Sequence, residues 1–244
     1  PYSAGSTAFV IGEYSDVRQY AGNIQLHNYT YTDEVAATTA SVERLPDMVD
    51  YFSKTTGVSY PYETYSQVFV LDVPWGMAAT SMAIQTENMV DDFGTHADFL
   101  YLWDGLEGES LAQQWFGNYV TCNDPNHIWL TKGIARYFSG LYNANKNGKD
   151  EFLLWQHAYD QSTYFFDWDY SVRQALVNTD TNNIYNFINS NTPYFHASAV
   201  MRMLHKELGE TQFKSVIQEY LTTYANTSVT TENLITTIEK TTRK

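Results

Sequence analysis

The segment from Glu107 to Tyr142 restricts the possible folds of this chain more than any other stretch. It carries two aromatic-rich runs, QWFGN at residues 114–118 and WLTKGIARYF at residues 129–138. The apolar spacing predicts a helix over residues 99–121 and a second helix after Asp124. Helices with so many buried ring positions need a large core, which a chain of 244 residues is long enough to form.

Both runs, and the distance between them, resemble the core of the aminopeptidase N family of gluzincin zinc peptidases. In that family an H-E-x-x-H motif directly precedes the QWFGN-like run, and a W-L-N-E-G-like run follows on the next helix. The two His, on one helix face, and the later Glu bind zinc, while the Glu between the His is the general base on the metal-bound water. The resemblance covers nearly the whole chain and implies an α+β fold of the thermolysin-like (gluzincin) catalytic-domain type.

The residues at the expected zinc positions are different in this chain. Glu109 and Gln113 stand where the family has its two His, Ser110 stands at the catalytic Glu, and Lys132 stands at the third ligand. An ammonium has no lone pair for a metal and repels the ion. The sequence therefore predicts a pseudoenzyme with no metal ligands and no cofactor. Zinc is expected only if the protein is an active relative with an unorthodox site.

The family's substrate cleft also has counterparts here. WGMAA at residues 75–79 lies where the family has G-x-M-E-N, the edge strand and loop that hold the substrate backbone and its free amino group. Ala78 replaces the Glu of that motif and has no carboxylate for an N-terminal ammonium. Tyr194 matches the family Tyr whose hydroxyl stabilises the tetrahedral intermediate. The cleft residues implied by the resemblance are Trp75, Gly76, Met77, Ala78 and Tyr194.

The N-terminal part of the chain changes from strand-like to helical sequence. Residues 7–14 and 24–31 are rich in β-branched and aromatic side chains and predict a strand pair. From Asp33 to Gly57 the spacing predicts a helix, kinked or split at Pro46. The resemblance implies that residues 1–32 are the last strands of an N-terminal β domain, and that residues 33–244 form the thermolysin-like domain.

The remaining segments predict a sheet followed by helices. Residues 67–73 and 82–86 are predicted strands. The helix over residues 99–121 is expected to be interrupted near residues 105–108, and residues 143–148 are expected to form a loop. The predicted helices beyond that loop lie at residues 152–164, 168–177, 201–208, 211–224 and 231–238. The rings of the first two are expected to pack in the core.

Composition excludes some classes of function. The net charge is -14, with 14 Lys and Arg against 28 Asp and Glu, which argues against binding to nucleic acid. No apolar stretch is long enough for a transmembrane segment. The single cysteine, Cys122, cannot form an internal disulfide and does not fix the compartment. Strand-like sequence begins close to Pro1, so we expect a fragment of a longer protein. The sequence does not decide the cellular compartment, and an extracytoplasmic location is among the alternatives.

Two functions of different classes follow from these observations. In the first, the protein is a non-catalytic homologue that binds a peptide or a partner protein through the old substrate cleft, together with other domains of its own chain. In the alternative, it is a zinc-dependent aminopeptidase with an unorthodox site. The first predicts an open groove between the sheet edge at residues 68–73 and the Glu109 helix, with peptide binding by strand addition. Its expected walls are Trp75, Trp115 and Tyr194.

Two further expectations concern charge and surface. Lys132 is expected to form an ion pair with Glu109, beside the Gln113 amide, because these positions converge on one ion in the active fold. The ammonium would then supply the positive charge of the missing zinc. We also expect an exposed aromatic or apolar patch where other domains dock.

Overall fold

A mixed five-stranded sheet forms the frame of the protein. The computed structural model describes residues 7–73, 76–91, 94, 98, 100–151, 156–170, 174–178 and 184–243. The strands of this sheet are β1 (Ser15–Ala21), β2 (Ile24–Thr30), β3 (Thr64–Val70), β4 (Met77–Ala79) and β5 (Met82–Thr86), in the order β1-β2-β3-β5-β4. The three inner strands are parallel, and each outer strand is antiparallel to its neighbour. A second sheet consists of two short parallel strands, β6 (Val120–Cys122) and β7 (Thr227–Val229).

Helices make up most of the rest of the described chain, so the predicted α+β class is confirmed. Between β2 and β3 in the sequence lie α1 (Val35–Ser41) and α2 (Leu45–Thr56). The later helices are α3 (Leu100–Ala112), α4 (Trp129–Asn147), α5 (Lys149–Glu151), α6 (Ala158–Tyr170), α7 (Ile184–Ile188), α8 (Ala197–Thr223) and α9 (Thr231–Thr242). A π-helical turn, Thr192–His196, leads into α8. None of the described helices is long and apolar enough to cross a bilayer.

The N-terminal strand pair is displaced from its predicted position. Its second strand is confirmed, but its first strand is β1 and not residues 7–14. Residues 7–14 have β-forming side chains but pair with no strand in the part of the chain that the structure describes, and a strand needs a partner. β2 pairs with β3 in parallel, with Leu26 opposite Tyr65, so the sheet continues across the boundary after residue 32. The division into two domains stays a prediction.

Several helix boundaries follow the sequence signals closely. Pro46 lies in the first turn of α2 and separates it from α1, which confirms the predicted split. Gly209 adopts a φ of 72° inside α8, a conformation that favours glycine, and so marks the predicted break between two helical patterns. Thr230 and Asn233 form a capping box at the start of α9.

The two central helices, α3 and α4, differ from prediction in length and regularity. α3 ends at Ala112, before the predicted end at residue 121, and residues 120–122 form a strand instead. α3 is unbroken through Gly105 and Gly108, so the predicted interruption is wrong. The Ser139 hydroxyl of α4 donates to the Gly105 carbonyl oxygen at 2.7 Å, which shows how closely the two helices pack. α4 continues through Asn147, so most of the predicted loop over residues 143–148 is helical. Tertiary packing has overridden the local preference of glycine and small polar residues for turns.

The QWFGN run joins α3 to the sheet through its polar side chains. The Gln114 Nε2 donates to the Ala79 carbonyl oxygen at 3.0 Å, and its Oε1 accepts from the Ser81 backbone N–H at 2.8 Å. The Asn118 Nδ2 reaches the same Ala79 oxygen at 3.2 Å. Trp115 is fully buried and donates to the Val58 carbonyl oxygen at 2.9 Å. Trp115 is therefore a core residue, and its predicted place in the wall of a cleft is wrong.

The aromatic helices between residues 152 and 177 also differ from prediction. Residues 152–155 lie outside the described residues, α6 ends at Tyr170, and residues 174–178 are not helical. The rings of α6 are exposed, so their predicted packing in the core is wrong. The buried residue of this helix is Asp160. The expected aromatic surface is therefore visible on α6, and whether another domain docks there stays a prediction.

We expect Gly133→Ala to lower the free energy of unfolding by about 1–3 kcal/mol, because overpacking of a close contact has that effect. A Cβ at Gly133 would lie 2.2 Å from the Ala197 Cβ and 3.1 Å from its backbone, where α4 meets the start of α8. The measurement is urea unfolding. The matched control is Gly105→Ala in α3, where a Cβ meets only the Asn143 amide at 3.7 Å. The control should be neutral or slightly stabilising, and equal losses in both variants would contradict the prediction.

Candidate functional site

Four elements bring three of the predicted site residues and two unpredicted ones into one cluster in the interior. α3 supplies Glu109, α4 supplies Lys132 and Arg136, the π-helical turn supplies Tyr194, and α6 supplies Asp160. The close approach of Gly133 to Ala197 sets the distance between α4 and the turn that carries Tyr194. The side chains therefore meet because the backbones of α4 and α8 can approach closely.

Tyr194 and Glu109 are in direct contact. The Tyr194 hydroxyl donates a short hydrogen bond to the Glu109 Oε2, and the Glu109 residue is only 8% exposed. The Arg136 Nη1 donates to the Tyr194 oxygen at 3.3 Å and lies 3.9 Å from the same Glu109 oxygen. The three groups thus form a closed triangle in which the guanidinium compensates the buried carboxylate.

Arg136 is held on its edge by a carboxylate and on its face by aromatic rings. Its Nε and Nη2 both donate to the Asp160 Oδ1, at 2.9 and 2.7 Å. Its Cζ lies 4.8 Å from the centroid of the Tyr194 ring and 4.6 Å from that of Phe195. Charge-assisted hydrogen bonds and cation–π contacts both strengthen when water is excluded. Arg136 is therefore fixed in position, and it links α4 to α6.

Lys132 does not form the predicted ion pair with Glu109. Its Nζ donates to the Ile188 carbonyl oxygen at 2.9 Å, at the end of α7. Arg136, one turn further along α4, takes the place beside Glu109 instead. Burial lowers the pKa of Lys132, and the nearby Glu109 opposes that shift. Gln113 lies just beyond α3, and among the described residues no hydrogen bond joins its side chain to Glu109 or Lys132.

Ser110 faces the entrance to the edge strand β4. Its hydroxyl donates to the Gln85 Oε1 at 3.5 Å. A Cβ at Gly76 would lie 2.8 Å from the Ser110 oxygen and 2.4 Å from that of Gln85, so the chain there must lack a side chain. Met77 is 55% exposed and Ala78 is half-buried, while Trp75 lies outside the described residues. The predicted cleft residues Gly76 to Ala78 thus begin next to the Glu109 cluster.

A ladder of buried polar side chains runs from the sheet to α3. The Gln85 Nε2 donates to the Gln67 Oε1 at 2.8 Å. The Gln67 Nε2 in turn donates to the Glu107 Oε1 at 2.6 Å and to the Asn28 Oδ1 at 3.1 Å. These residues are at most 2% exposed. The ladder ends one helical turn from Ser110, so Glu107 is a second buried acid close to the cluster.

Burial governs the protonation of both acids. It raises the pKa of Glu107 to about 8, against the opposing hydrogen bond from Gln67. It raises the pKa of Glu109 to about 7, although Arg136 and Tyr194 both favour the charged form. Burial lowers the pKa of Arg136, but Tyr194, Asp160 and Glu109 raise it more strongly, so the guanidinium stays charged. Near pH 7 the cluster therefore holds a fixed cation beside a carboxyl that titrates.

The residues at this site do not fit a zinc ion. Zinc in proteins is bound by His, Cys or carboxylate donors. Here the carboxylate of Glu109 is bonded to Tyr194 and faces a guanidinium, and Ser110 and Gln113 are poor zinc donors. The residues that the structure describes contain no group of three or more His, Cys, Asp or Glu side chains able to hold a metal ion.

Sequence reasoning missed Arg136, Asp160 and Glu107. Arg136 stands four residues after Lys132 and hence on the same face of α4, so helical spacing could have identified it. No comparable signal marks Asp160, because α6 is remote from α4 in the sequence. Glu107 could have been suspected from its position two residues before Glu109, at the start of the QWFGN helix region.

We expect Glu107→Gln to flatten the dependence of stability on pH. The folded-state pKa of Glu107 lies above its ordinary value of 4.5, so between pH 4.5 and about 8 the folded state binds more protons than the unfolded state. The free energy of unfolding should therefore fall as pH rises through this window, by at most about 1.4 kcal/mol per pH unit for one group.

The measurement for Glu107→Gln is urea unfolding from pH 5 to about 8, the window set by that pKa. Glu239→Gln, at an exposed site in α9, is the control and should keep the wild-type slope. The same steep slope in Glu107→Gln as in the control would show that the Glu107 proton is not the source.

The chain matches known proteins over most of its length. Residues 40–244 match the model of the peptidase family M1 domain. Aminopeptidase M1-A of Oryza sativa subsp. japonica is 24% identical over 239 residues, 96% of this chain and 27% of that protein. Aminopeptidase M1 of Arabidopsis thaliana is 25% identical over 196 residues, 78% of this chain and 22% of that protein.

One similar protein has a name of a different kind. Transcription initiation factor TFIID subunit 2 of Drosophila melanogaster is 29% identical over 116 residues, 47% of this chain and 9% of that protein. The chain therefore spans about a quarter or less of the length of these relatives. The family model covers well over half of the chain, including both runs and the buried cluster. On this evidence the chain belongs to peptidase family M1, the aminopeptidase N family.

Proposed function

We propose that this protein is a non-catalytic homologue of the zinc aminopeptidases that binds a polypeptide segment at the edge strand β4. The observation that carries the first part is the direct hydrogen bond from Tyr194 to Glu109, with Arg136 beside both. Tyr194 corresponds to a family residue that faces the reacting substrate, and Glu109 corresponds to a zinc ligand. When these two side chains bond to each other, they occupy the positions at which the family binds the zinc ion and the substrate oxygen.

The replacement of charge supports the same proposal. Peptide hydrolysis in this family requires a metal-bound water and a general base, whereas the position of the base is Ser110 here. The positive charge beside Glu109 comes from a guanidinium, which cannot coordinate a water molecule and lower its pKa as a metal ion does. Lys132, at the third ligand, is bonded to a backbone carbonyl. The cluster can hold helices together, but it cannot generate a nucleophile.

The second part of the proposal rests on β4. It is an outer strand of the described sheet, and Gln114 and Asn118 hold its connection to β5 in place. The register pairs Ala79 with Met82 across a two-residue turn, so Ala78 belongs to the next pair, whose backbone groups point away from β5. An extended ligand can hydrogen-bond there by strand addition. Because Ala78 has no carboxylate, the ligand needs no free amino terminus.

The names of the relatives are compatible with both candidate functions, the non-catalytic homologue and the zinc-dependent aminopeptidase. Several are named as aminopeptidases, which favours the alternative that this protein is a zinc-dependent aminopeptidase. The Drosophila relative is named as a subunit of a transcription factor, which supports the use of this family within protein assemblies. The four altered site positions decide our preference for the non-catalytic function.

We expect the purified protein to contain far less than one zinc per chain and to release no product from aminoacyl reporter substrates, with or without added zinc. The measurements are metal analysis by mass spectrometry and a fluorescent hydrolysis assay. Stoichiometric zinc together with turnover that a chelator abolishes would establish the alternative.

The sharpest control restores the family residues. In Glu109→His, Ser110→Glu, Gln113→His, Lys132→Glu combined, Arg136 still faces the site and should keep zinc binding weak. Adding Arg136→Ser should strengthen zinc binding at least tenfold, or about 1.4 kcal/mol. If the fourfold variant already binds zinc as tightly as the fivefold one, the guanidinium is not what excludes the ion.

We expect Ala78→Pro to weaken binding of short, extended Thr- and Val-rich peptides about tenfold, because proline removes the backbone donor that strand addition uses. Calorimetric titration measures the affinity, with thermal unfolding as a check on the fold. Acetylated and free N-termini should bind equally. The matched control is Ala78→Ser, which keeps the N–H and should bind like the wild type. Equal binding by the proline and serine variants would argue against the proposed strand addition.

A further inference from the structure

Helix α6 (Ala158–Tyr170) directs only polar residues toward the protein interior and leaves much of its aromatic surface exposed to solvent. Asp160 is its buried residue, and Thr163 and Asp167 are half-buried. Its aromatic side chains are between 40% and 79% exposed: Tyr159, Tyr164, Phe165, Phe166, Trp168 and Tyr170. An ordinary surface helix has the opposite arrangement, with its apolar stripe toward the core. Leaving six rings in water on one helix is unfavourable unless another surface covers them.

The orientation of α6 is fixed by its polar contacts. Asp160 accepts two hydrogen bonds from Arg136. Two helical turns further along, the Asp167 carboxylate accepts from the Asn191 Nδ2 at 3.1 Å, and its other oxygen lies 3.2 Å from the His196 Nε2. Asp160 and Asp167 are seven residues apart and therefore on the same face. With this face anchored, the helix cannot rotate to bury its rings.

A notch lies along one side of α6, next to Asn191, and has room for a long side chain. Its volume is about 380 Å³, and it is lined by Tyr159, Ser162, Thr163, Phe166 and Asn191. The ring of Tyr170 extends this stripe, 5.2 Å from the ring of Phe166. The hydroxyls of Ser162 and Thr163 both donate to the Tyr159 carbonyl oxygen at 2.9 Å. Their oxygens therefore remain as acceptors, so the notch combines ring faces with acceptors.

The charge around these rings is negative. Residues 158–170 contain no Lys or Arg, and the whole chain carries a net charge of -14. Of the three Asp of α6, Asp160 is paired with Arg136 and Asp167 contacts Asn191 and His196, so Asp169 is the exposed carboxylate of this helix. Ring faces and acceptor oxygens attract a cation, and a guanidinium stacks on rings better than an ammonium does. A second copy of this chain would carry the same net negative charge and the same exposed Asp169, which like charges oppose. Charge complementarity therefore favours a basic partner.

We propose that the exposed aromatic face of α6 is the docking surface for a basic protein segment, with an arginine side chain entering the notch between Tyr159 and Phe166. This surface lies on α6, not on β4, and its use does not depend on binding in the old substrate cleft. The rings supply apolar area and cation–π contacts, and Asp169, which is exposed, adds attraction at the rim.

The test is titration of the full chain with three helical peptides, with the affinity of each as the measured quantity. The peptides are identical except at one set of positions, which are all arginine in the first peptide, all lysine in the second and all glutamate in the third. We expect saturable binding of the arginine peptide, several-fold weaker binding of the lysine peptide and none of the glutamate peptide. Phe166→Ser should weaken the arginine peptide at least tenfold. Tyr20→Ser removes an equally exposed ring on β1 and should leave the affinity unchanged. Circular dichroism confirms that both variants are folded.

Four outcomes would overturn the proposal. The first is no saturable binding of the arginine peptide. The second is equal weakening, or none, in Phe166→Ser and Tyr20→Ser, which would mean that the peptide responds only to the overall negative charge. The third is equal binding of the glutamate peptide, which would reduce the surface to an apolar patch. The fourth is a dimer in sedimentation that Phe166→Ser abolishes, because a second copy would then be the occupant.

Discussion

The burial of the Arg136 guanidinium between two carboxylates is the interaction on which the centre of this structure depends. Glu109 comes from α3, Asp160 from α6, and Tyr194 from the turn before α8. A buried charge without a partner costs several kcal/mol, so removal of the arginine would leave two acids in a place from which water is largely excluded. Four elements therefore hold their relative positions through one side chain of α4.

The same interaction connects the Glu109 cluster to the outer surface. Arg136 places a positive charge beside Glu109, and its bonds to Asp160 also fix the rotation of α6. The face of α6 opposite Asp160 then carries exposed rings. The Arg136–Asp160 ion pair thus links the Glu109 cluster to the helix that carries the exposed rings. Whatever binds α6 contacts an element that is anchored directly to the cluster.

The QWFGN region separates the structural role of the family motif from its chemical role. Gln114 and Asn118 bind the β4–β5 connection, and Trp115 lies in the core. These residues stabilise the fold whether or not a metal is present, whereas Glu109 and Ser110 face the site. The contacts that hold this part of the fold are therefore separate from the residues that face the site. The buried ladder from Gln67 to Glu107 adds a cost in stability that grows as Glu107 ionises.

The sequence by itself determined the family, the α+β class, several elements and the residue types at the positions that correspond to the zinc site of the family. These features depend on residue type and local spacing: Pro46 separates two helices, Gly209 breaks α8, and the ammonium form of Lys132 has no lone pair for a metal. Only the tertiary structure decided that Arg136 faces Glu109, that α3 continues through Gly105, and that the α6 rings point outward. Each of these results from competition among distant partners, such as the Ile188 carbonyl that binds Lys132. Sequence spacing does not encode those partners.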